Sequence, residues 1–446
     1  MTQKPASLQF QTLQIHGGYE KDETLARGIA IHPTAAFHFN SCDHAAGLFD
    51  LSQPGNIYTR LNNPTNTAFE QRVAALYGGV GALSAASGMS AILLAVTALA
   101  SEGENIVVSP LLYGGTYNLF RTTLRHLGID CRIADSPEVT HMEPLIDEHT
   151  RLVYAESMGN PTCEVVDLEA LAQMAHRHDV PFVVDNTFGA CGYLCNPLQW
   201  GADIIVESAT KWINGHGTAM GGIVVDGGTF DWTVRYAEGQ RAGAPKYPQI
   251  DGPSEGYHGL NMAETFGRSA FIVRLRVDML RDLGCCQSPF DSYLNLIGLE
   301  TLSLRVDHQV QLTRRLAEFC RDSRYVKRVN YVGFADHPCH QLVSRYFRHG
   351  GSAVLNVELE GDLQTTVRFV ESLRLCAHMV MVGDSITVVT HPASTTHKQL
   401  SDADLAAAGV TPTLLRISAG LESPDDIIAD FSQAFEAAFN PTTANA

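Results

Sequence analysis

The chain has 446 residues, of which 45% are hydrophobic and 18% charged. This length exceeds what one ordinary hydrophobic core serves, so we expect one large and one smaller domain. The formal net charge of −17 argues against nucleic acid and anionic membranes as partners. An anionic substrate would therefore need a local positive site.

Three further features bear on where the protein works. The longest apolar stretch, residues 91–100, is far shorter than the roughly 20 residues that span a bilayer. Residues 1–5 lack the apolar core of a signal peptide. The ten cysteines include no Cys-x-x-Cys pair, a pattern typical of reduced thiols. We therefore predict a cytoplasmic protein with no membrane partner.

Residues 1–69 contain frequent turn formers and no dominant amphipathic pattern, which predicts an extended N-terminal arm. From residue 70 to 298, strands and helices alternate. We predict helices at 68–77, 88–100, 116–127 and 168–178, the last capped by Asp167, and strands at 105–108, 151–155, 181–185, 204–207 and 222–226. The strands are almost continuously apolar, which indicates an α/β fold with a mostly parallel sheet covered by helices on both faces.

Residues 227–266 are rich in Gly, Pro and Tyr, and we predict an insertion in the large domain that acts as a lid or binding loop. Residues 299–446 are predicted to form a smaller α+β domain. Its predicted elements are a long helix at 299–320, strands at 353–357, 386–389 and 414–418, and a terminal helix at 424–439 capped by Ser423.

Lys211 follows the apolar strand 204–207 and precedes a glycine-containing turn. A lysine is usually a solvated surface charge. At the end of a buried strand, however, a lysine is poorly solvated, so it can lose its proton and form a Schiff base with a carbonyl compound.

Asp185 ends the strand 181–185, at the carboxyl edge of the predicted sheet, where ligands bind. An isolated aspartate is more often a loop carboxylate or a helix cap. Together with Lys211, however, it matches pyridoxal 5'-phosphate, whose aldehyde takes a lysine and whose protonated pyridine nitrogen takes a carboxylate. We therefore predict this cofactor.

The cofactor's phosphate needs hydrogen-bond donors. Ser87, Gly88 and Met89 open the helix 88–100, where backbone N–H groups and the helix dipole favour an anion. Ser208 and Thr210 can add hydroxyl donors. The alternative for residues 87–89 alone is an ordinary helix start.

Three more residues follow or occupy predicted strands. Tyr113 could stack on the pyridine ring, and Asn160 could bond the cofactor's phenolic oxygen. Arg416 could clamp a substrate carboxylate with two hydrogen bonds. The alternatives are, in turn, a core tyrosine, a turn asparagine before proline and a surface arginine on an edge strand.

Two apparent sites are discounted. His391 and His397 have no carboxylate or cysteine partner at metal-ligand spacing, so we predict no metal. Gly215 and Gly217 do not belong to the strand–turn–helix unit that a dinucleotide fingerprint requires.

Short motifs extend along nearly the whole chain, at 57–60, 63–65, 86–89, 112–118, 159–161, 184–187, 208–211 and 391–397. Together they resemble the Cys/Met metabolism family of enzymes that depend on pyridoxal phosphate. The resemblance implies the fold type I (aspartate aminotransferase-like) architecture. It also implies that Lys211 is the Schiff-base lysine and proton shuttle, that Asp185 pairs with the pyridinium, and that Tyr113 stacks on the ring. Tyr113 and Tyr58 would assist proton transfers.

The resemblance also implies which residues hold the phosphate, namely Gly88, Met89, Ser208 and Thr210. Tyr58 and Arg60 would reach that phosphate from a neighbouring subunit, which implies at least a dimer and usually a homotetramer. Arg416 would bind the substrate carboxylate with help from Ser394.

Within this family, residues 227–266, 288–290 and 298–302 resemble the acetylhomoserine sulfhydrylases. This implies replacement of the γ-acetoxy group of the amino-acid ester O-acetyl-L-homoserine by sulfide or a thiol, giving homocysteine or methionine. The alternatives are methionine γ-lyase, cystathionine γ-synthase, O-succinylhomoserine sulfhydrylase and, outside the enzymes, a non-catalytic cofactor-binding protein.

Two positions depart from the family pattern. Glu207 stands where histidine is common, and we expect it to place a second carboxylate near Lys211. Asn214 stands where glycine is common, and asparagine tolerates left-handed geometry.

Overall fold

The structure is a computed structural model that describes residues 8–21, 23–239, 241–395 and 411–440. A seven-stranded sheet forms its larger part, with strands β1 Gly81–Ala85, β2 Asn105–Val108, β3 Asp130–Ile133, β4 Thr150–Glu156, β5 Phe182–Asp185, β6 Ile204–Glu207 and β7 Gly222–Asp226. The strand order is β1-β7-β6-β5-β4-β2-β3. Strands β2 to β6 pair in parallel, whereas β7 runs antiparallel to both β6 and β1. The mostly parallel sheet is therefore confirmed.

The helices are α1 Phe10–His16, α2 Cys42–Phe49, α3 Pro64–Tyr77, α4 Gly88–Leu99, α5 Gly114–Asn118, α6 Leu124–His126, α7 Val139–Met142, α8 Leu168–Arg177, α9 Met262–Phe266, α10 Ala270–Arg274, α11 Arg281–Leu283, α12 Pro289–Glu300, α13 Leu302–Arg321, α14 His340–Tyr346, α15 Leu363–Ser372 and α16 Pro424–Phe439. Within the described ranges, no helix is long and apolar enough to cross a membrane. The Asp167 side chain accepts a hydrogen bond from the Ala170 N–H and caps α8.

Both faces of the large sheet are buried. Successive residues of a strand point to opposite faces, and along β5 Val183 belongs to one core cluster while Val184 belongs to the other. Ile204 and Ile205 of β6 divide in the same way. This is why the strands are continuously apolar rather than alternating.

The N-terminal arm is shorter and more helical than predicted. It contains α1 and α2, and α3 begins at Pro64 rather than at residue 68. The Asn63 side chain accepts a hydrogen bond from the Thr65 N–H, and proline at the first helical position is already set for the helix. The asparagine before proline is the sequence signal for this helix start.

Two strands of the large sheet, β1 and β3, were not predicted from the sequence. The residues of β1 are Gly-Ala-Leu-Ser-Ala, which have a low strand propensity. Residues Asp130–Ile133, which form β3, are partly polar because this strand lies at the edge of the sheet. Pairing with β7 and β2, respectively, decides their conformation.

The insertion 227–266 is not a lid over the carboxyl edge of the sheet. It packs at the opposite, amino-terminal edge, where the Tyr247 hydroxyl donates to the backbone oxygen of Arg151 at 2.9 Å. The Arg151 guanidinium donates in turn to the Tyr236 hydroxyl at 2.6 Å. Trp232 is buried and stacks on Phe271 with a centroid distance of 5.4 Å. Segment 227–266 therefore completes the core of the large domain.

A five-stranded sheet forms the smaller part, with strands β8 Val326–Asn330, β9 Val354–Leu359, β10 Ala377–His378, β11 Val388–Thr390 and β12 Leu414–Ser418, in the order β10-β11-β12-β9-β8. The helix predicted at 299–320 is in fact α12 and α13, which meet at Thr301. Ser423 precedes α16, but its side chain makes no capping hydrogen bond.

Glu207, the departure at the end of β6, is buried and its carboxylate is directed toward α3. The Tyr77 hydroxyl donates to Oε2 at 2.6 Å, and the Cys191 N–H donates to Oε1 at 2.9 Å. The Asn186 side-chain amide donates to the Tyr77 hydroxyl at 2.8 Å. The expectation that Glu207 places a carboxylate beside the Lys211 amine is therefore wrong, because this carboxylate ties the ends of β5 and β6 to α3.

Replacing Glu207 by glutamine should make stability less dependent on pH. Burial, the largest influence, raises the pKa of Glu207 from 4.5 to about 8, against the opposing bonds from Tyr77 and Cys191. The folded state therefore holds a proton that the unfolded state has released, so the free energy of unfolding falls as pH rises from about 4.5 to about 8. Without this carboxyl group, the free energy of unfolding should decrease less steeply with pH, by up to about 1.4 kcal/mol per pH unit.

Urea unfolding of the wild type and Glu207→Gln between pH 5.5 and 8 measures this effect. Glu371→Gln, at an exposed position, is the control. Equal pH slopes for the wild type and Glu207→Gln would contradict the assignment.

Candidate active site

A cavity of about 240 Å³ lies at the carboxyl ends of β4, β5 and β6. Ten of the residues singled out from the sequence line it, namely Ser87, Gly88, Met89, Tyr113, Asn160, Asp185, Ser208, Thr210, Lys211 and Arg416. Residues from both sheets contribute, since Arg416 belongs to β12. The fold therefore brings together residues that are more than 300 positions apart in the chain.

Lys211 lies in the turn that follows β6. Its amine contacts the Met381 sulfur, with 3.4 Å between Nζ and Sδ. Burial and the positive charge of Arg416 lower the pKa of Lys211, while Asp384 opposes this shift. Lys211 takes part in none of the ion pairs between described residues. Its amine is therefore held in the cavity under conditions that favour the neutral, nucleophilic form.

Asp185 lies half-buried at the end of β5, beside the end of β4. The Thr187 hydroxyl donates to Oδ1 at 2.6 Å, and the Thr187 N–H donates at 2.9 Å. Burial raises the pKa of Asp185 to about 6 despite these two bonds. No Lys, Arg or His of the described ranges forms an ion pair with it, so a cationic N–H group of a ligand would find an unneutralised carboxylate here.

Glu156 is a second carboxyl group in the cavity, and it is buried. It was not among the site residues predicted from the sequence. It ends β4 directly opposite Asp185 in the strand register. The Tyr113 N–H donates to its Oε1 at 2.7 Å. Burial and the neighbouring Asp185 raise the pKa of Glu156 well above its usual value. The hydrogen bond from the Tyr113 N–H fixes the backbone of Tyr113 against Glu156. The sequence signal for Glu156 is its place directly after the apolar strand predicted at 151–155.

The other end of the cavity is built to receive an anion. The N-terminus of α4, a helix of 12 residues, opens into it, and the Ser87 side chain caps this helix by accepting from the Ser90 N–H. A Cβ atom at Gly88 would lie 2.8 Å from the Ser208 Cβ, so only glycine allows this approach. The Thr210 hydroxyl donates to the Gly221 oxygen at 3.2 Å and holds the following loop.

Arg416 is buried in the middle of the second sheet, so the surface-arginine alternative does not apply. Its Nη1 donates to the Asn160 side-chain oxygen at 2.9 Å, and its Nη2 donates to the Thr390 hydroxyl at 3.1 Å. Burial lowers the pKa of Arg416 from 12.5. The guanidinium therefore faces the cavity in a fixed orientation, held by neutral groups only.

Three predicted site residues do not lie in this cavity. Tyr58 and Arg60 are exposed elsewhere on the chain, with the Arg60 guanidinium 5.6 Å from the Tyr58 ring centre. Ser394 is also exposed, and its hydroxyl bonds to the His391 ring at 2.8 Å, so the expectation that Ser394 assists Arg416 finds no support in this chain. His397 lies outside the described residues.

Further lining residues carried no clear sequence signal. They are Ile92, Thr116, Thr187, Phe188, Met220, Val380, Met381 and Val382. The departure at Asn214 also has a structural reason. The left-handed residue of the turn is Gly215, with φ +69°, whereas the Asn214 side-chain oxygen accepts from the Thr218 N–H at 3.1 Å.

The chemistry of the cavity fits pyridoxal phosphate. The N-terminus of α4 and the nearby hydroxyl groups can bind its phosphate. The Asp185 carboxylate can pair with its protonated ring nitrogen, and the Lys211 amine can react with its aldehyde. Gly88 provides the close backbone approach that a phosphate needs. Tyr113 stands at the mouth of the same cavity.

Comparison with known proteins agrees with this chemistry. The family model for the Cys/Met metabolism PLP-dependent enzyme matches residues 11–436. O-acetyl-L-homoserine sulfhydrylase 1 of Thermus thermophilus is 47% identical over 429 residues, which cover 96% of this chain and 100% of that protein. The homocysteine synthase of Schizosaccharomyces pombe is 45% identical over 430 residues, 96% of this chain and 98% of that protein.

A solved structure is also similar over nearly its whole length. The crystal structure of a putative O-acetylhomoserine (thiol)-lyase of Campylobacter jejuni has a TM-score of 0.90 and 35% sequence identity, covering 96% of this chain and 100% of that one. That structure contains N'-pyridoxyl-lysine-5'-monophosphate. With the family match spanning residues 11–436, the chain belongs to the Cys/Met metabolism family of PLP-dependent enzymes.

Proposed function

We propose that the protein replaces the γ-acetoxy group of O-acetyl-L-homoserine by sulfide or a thiol, releasing acetate and giving homocysteine or methionine. The observation that carries this proposal is that Lys211, Asp185 and Arg416 line one cavity. The similar proteins include the O-acetyl-L-homoserine sulfhydrylase of Thermus thermophilus and the homocysteine synthase of Schizosaccharomyces pombe, which supports this substrate and this product.

Arg416 binds the α-carboxylate of the amino acid. Its orientation is set in advance by Asn160 and Thr390, so little entropy is lost when the substrate binds. Pyridoxal phosphate, when bound, supplies an electron sink for the carbon atom next to the substrate amine. Lys211 accepts the proton from that carbon, because its lowered pKa makes the amine available as a base.

The uncharged part of the cavity lining supports an uncharged ester and a small sulfur acceptor as substrates. Met220, Val380 and Met381 belong to this lining, and all three side chains lack charge. Among the lining residues that the structure describes, Lys211 and Arg416 are the only bases. An acetyl group and sulfide need no further cation, whereas a second carboxylate would need one.

We also infer that the active site is shared between subunits. Tyr58 and Arg60 are exposed and lie outside the cavity of their own chain, which leaves them available to the phosphate end of a neighbouring subunit. There Tyr58 would join Tyr113 in proton transfers. We propose a homotetramer that works in the cytoplasm, where thiol substrates stay reduced.

Product analysis tests the reaction. Purified protein supplied with O-acetyl-L-homoserine and sulfide should form homocysteine and acetate, and Lys211→Ala should lower this rate by about 10²–10⁴-fold or more, as expected for loss of a general base. Lys327→Ala, a substitution on the surface with the side chain 60% exposed, is the control. Turnover of O-succinylhomoserine or of free methionine, with none of the acetyl ester, would contradict the proposal.

Arg416→Lys should weaken substrate binding more than turnover. A lysine cannot reproduce the planar fork that bonds a carboxylate. Loss of one charge-assisted hydrogen bond is worth about 1.5–3 kcal/mol, so KM should rise about 10-fold to 100-fold. Steady-state kinetics measure this, with the exposed Arg314→Lys as the control. An unchanged KM would remove Arg416 from carboxylate binding.

Gly222→Ala should weaken cofactor binding. A Cβ atom at Gly222 would lie 2.0 Å from the Ser87 backbone oxygen and 2.9 Å from the Gly88 nitrogen, so it would displace the start of α4. Absorbance titration of the apoprotein with pyridoxal phosphate should show a higher dissociation constant, accompanied by a stability loss of about 1–3 kcal/mol. Gly256→Ala, where the nearest atom is 4.0 Å away, is the control. Wild-type affinity in Gly222→Ala would contradict the placement of the phosphate.

A further inference from the structure

Arg305 of α13 is a buried cation behind the active-site turn, and it does not line the cavity. Its Nη2 donates to the backbone oxygen of Trp212 at 3.0 Å and to that of Gly298 at 2.7 Å. Its Nε donates to the Thr301 hydroxyl at 3.3 Å. One guanidinium therefore joins the residue that directly follows Lys211 to the last turn of α12 and to the junction of α12 with α13.

Close backbone packing surrounds this guanidinium. A Cβ atom at Gly215 would lie 1.7 Å from Nη1 of Arg305, and Gly215 is in the left-handed conformation. A Cβ atom at Gly298 would lie 2.3 Å from the backbone oxygens of both Ile213 and Asn214. The turn that carries Lys211 therefore rests directly on α12 and on Arg305, without a layer of side chains between them.

The turn is also fixed from within. The Gly215 N–H donates to the Lys211 backbone oxygen at 2.7 Å, and the Asn214 N–H donates to the Ala209 oxygen at 2.9 Å. These bonds shape the turn from within. Arg305 adds hydrogen bonds that tie the turn to α12 and to the junction of α12 with α13, on the side away from the cavity.

Arg305 has no ionic partner among the described residues. Its hydrogen-bond acceptors are two backbone oxygens and one hydroxyl, and Asp384 acts on it only as a more distant charge. Burying a cation with neutral partners alone is costly, so a role in stability is a poor explanation for this residue.

We propose that Arg305 is a positioning residue for Lys211. Its guanidinium holds the turn 211–215 so that the Lys211 amine stays in the cavity, where it would meet the cofactor's aldehyde. The proposal rests on the cofactor role assigned to Lys211 under the proposed function. It does not depend on which ester or thiol the protein uses.

The planar shape of the guanidinium is the essential property. Arginine can donate to Trp212, Gly298 and Thr301 at once because its N–H groups are spread in one plane. A lysine ammonium is a compact charge and cannot span these three acceptors. Arg305→Lys thus keeps the charge but removes the attachment, and Thr301→Val removes only one of the three contacts.

The first measurement is made on the cofactor rather than on turnover. In Arg305→Lys, pyridoxal phosphate should still bind, because α4 and Asp185 are untouched, but the visible absorption band of lysine-linked cofactor should be weakened or shifted. Thr301→Val should show a smaller change in the same direction. Arg315→Lys, an exposed position of the same helix paired with Asp425, is the control and should match the wild type.

The second measurement is made on the apoprotein. Hydrogen exchange of the amides in residues 211–215 should be faster in Arg305→Lys than in Arg315→Lys, with α8 unchanged in both. In assays with O-acetyl-L-homoserine and sulfide, kcat should fall about 10- to 100-fold, the scale expected for a misplaced catalytic group, while KM stays within a few-fold because Arg416 is unaffected.

A wild-type absorption band together with wild-type exchange in Arg305→Lys would overturn the proposal, whatever happens to the melting temperature. If Arg305→Lys does not fold, Thr301→Val decides by the same two readouts. If the wild type does not turn over the acetyl ester, the proposed function is wrong. The visible absorption band and the hydrogen-exchange rates still test the positioning role of Arg305.

Discussion

The active site depends on the parallel pairing of β5 with β6. This pairing sets Asp185 opposite Val206, so the end of β5 and the turn after β6 meet at one edge of the sheet. Asp185 and Lys211 come from different strands, and only this register places both in one cavity. The Tyr77 hydroxyl reinforces it by bonding with Asn186 and Glu207, the residues next to Asp185 and Ser208. Burial of both sheet faces supplies the stability that such an arrangement needs.

The cavity contains ionisable groups that the protein itself leaves without ionic partners. Asp185, Lys211 and Arg416 form no ion pair with any described residue, although all three are buried to a large extent. Such groups are costly in a folded protein. Each group has a counterpart in the ligands. Asp185 would pair with the protonated ring nitrogen, Lys211 with the aldehyde, and Arg416 with the substrate carboxylate. The cost is therefore offset when the ligands bind, which is a form of preorganisation.

The second sheet completes the site and supports it from behind. Arg416 of β12 and Met381 reach the cavity, while Arg305 of α13 contacts the turn 211–215 from the opposite side. The first two residues face the ligands, and the third faces only the backbone. A residue that does not line the cavity is thus part of the same arrangement, because its guanidinium ties the turn to α12 and α13.

The sequence by itself determined five of the seven strands of the large sheet, the cofactor and ten residues of the cavity lining, because strands such as 204–207 and residues such as Lys211 and Asp185 carry local signals. Tertiary structure decided the remainder. The residues of β1 have weak strand propensity and form a strand only by pairing with β7. The insertion 227–266 has no local pattern, and contacts with Arg151 place it away from the cavity. The directions of the Glu207 and Arg305 side chains were equally invisible, because a buried polar group is placed by partners that are distant in the chain.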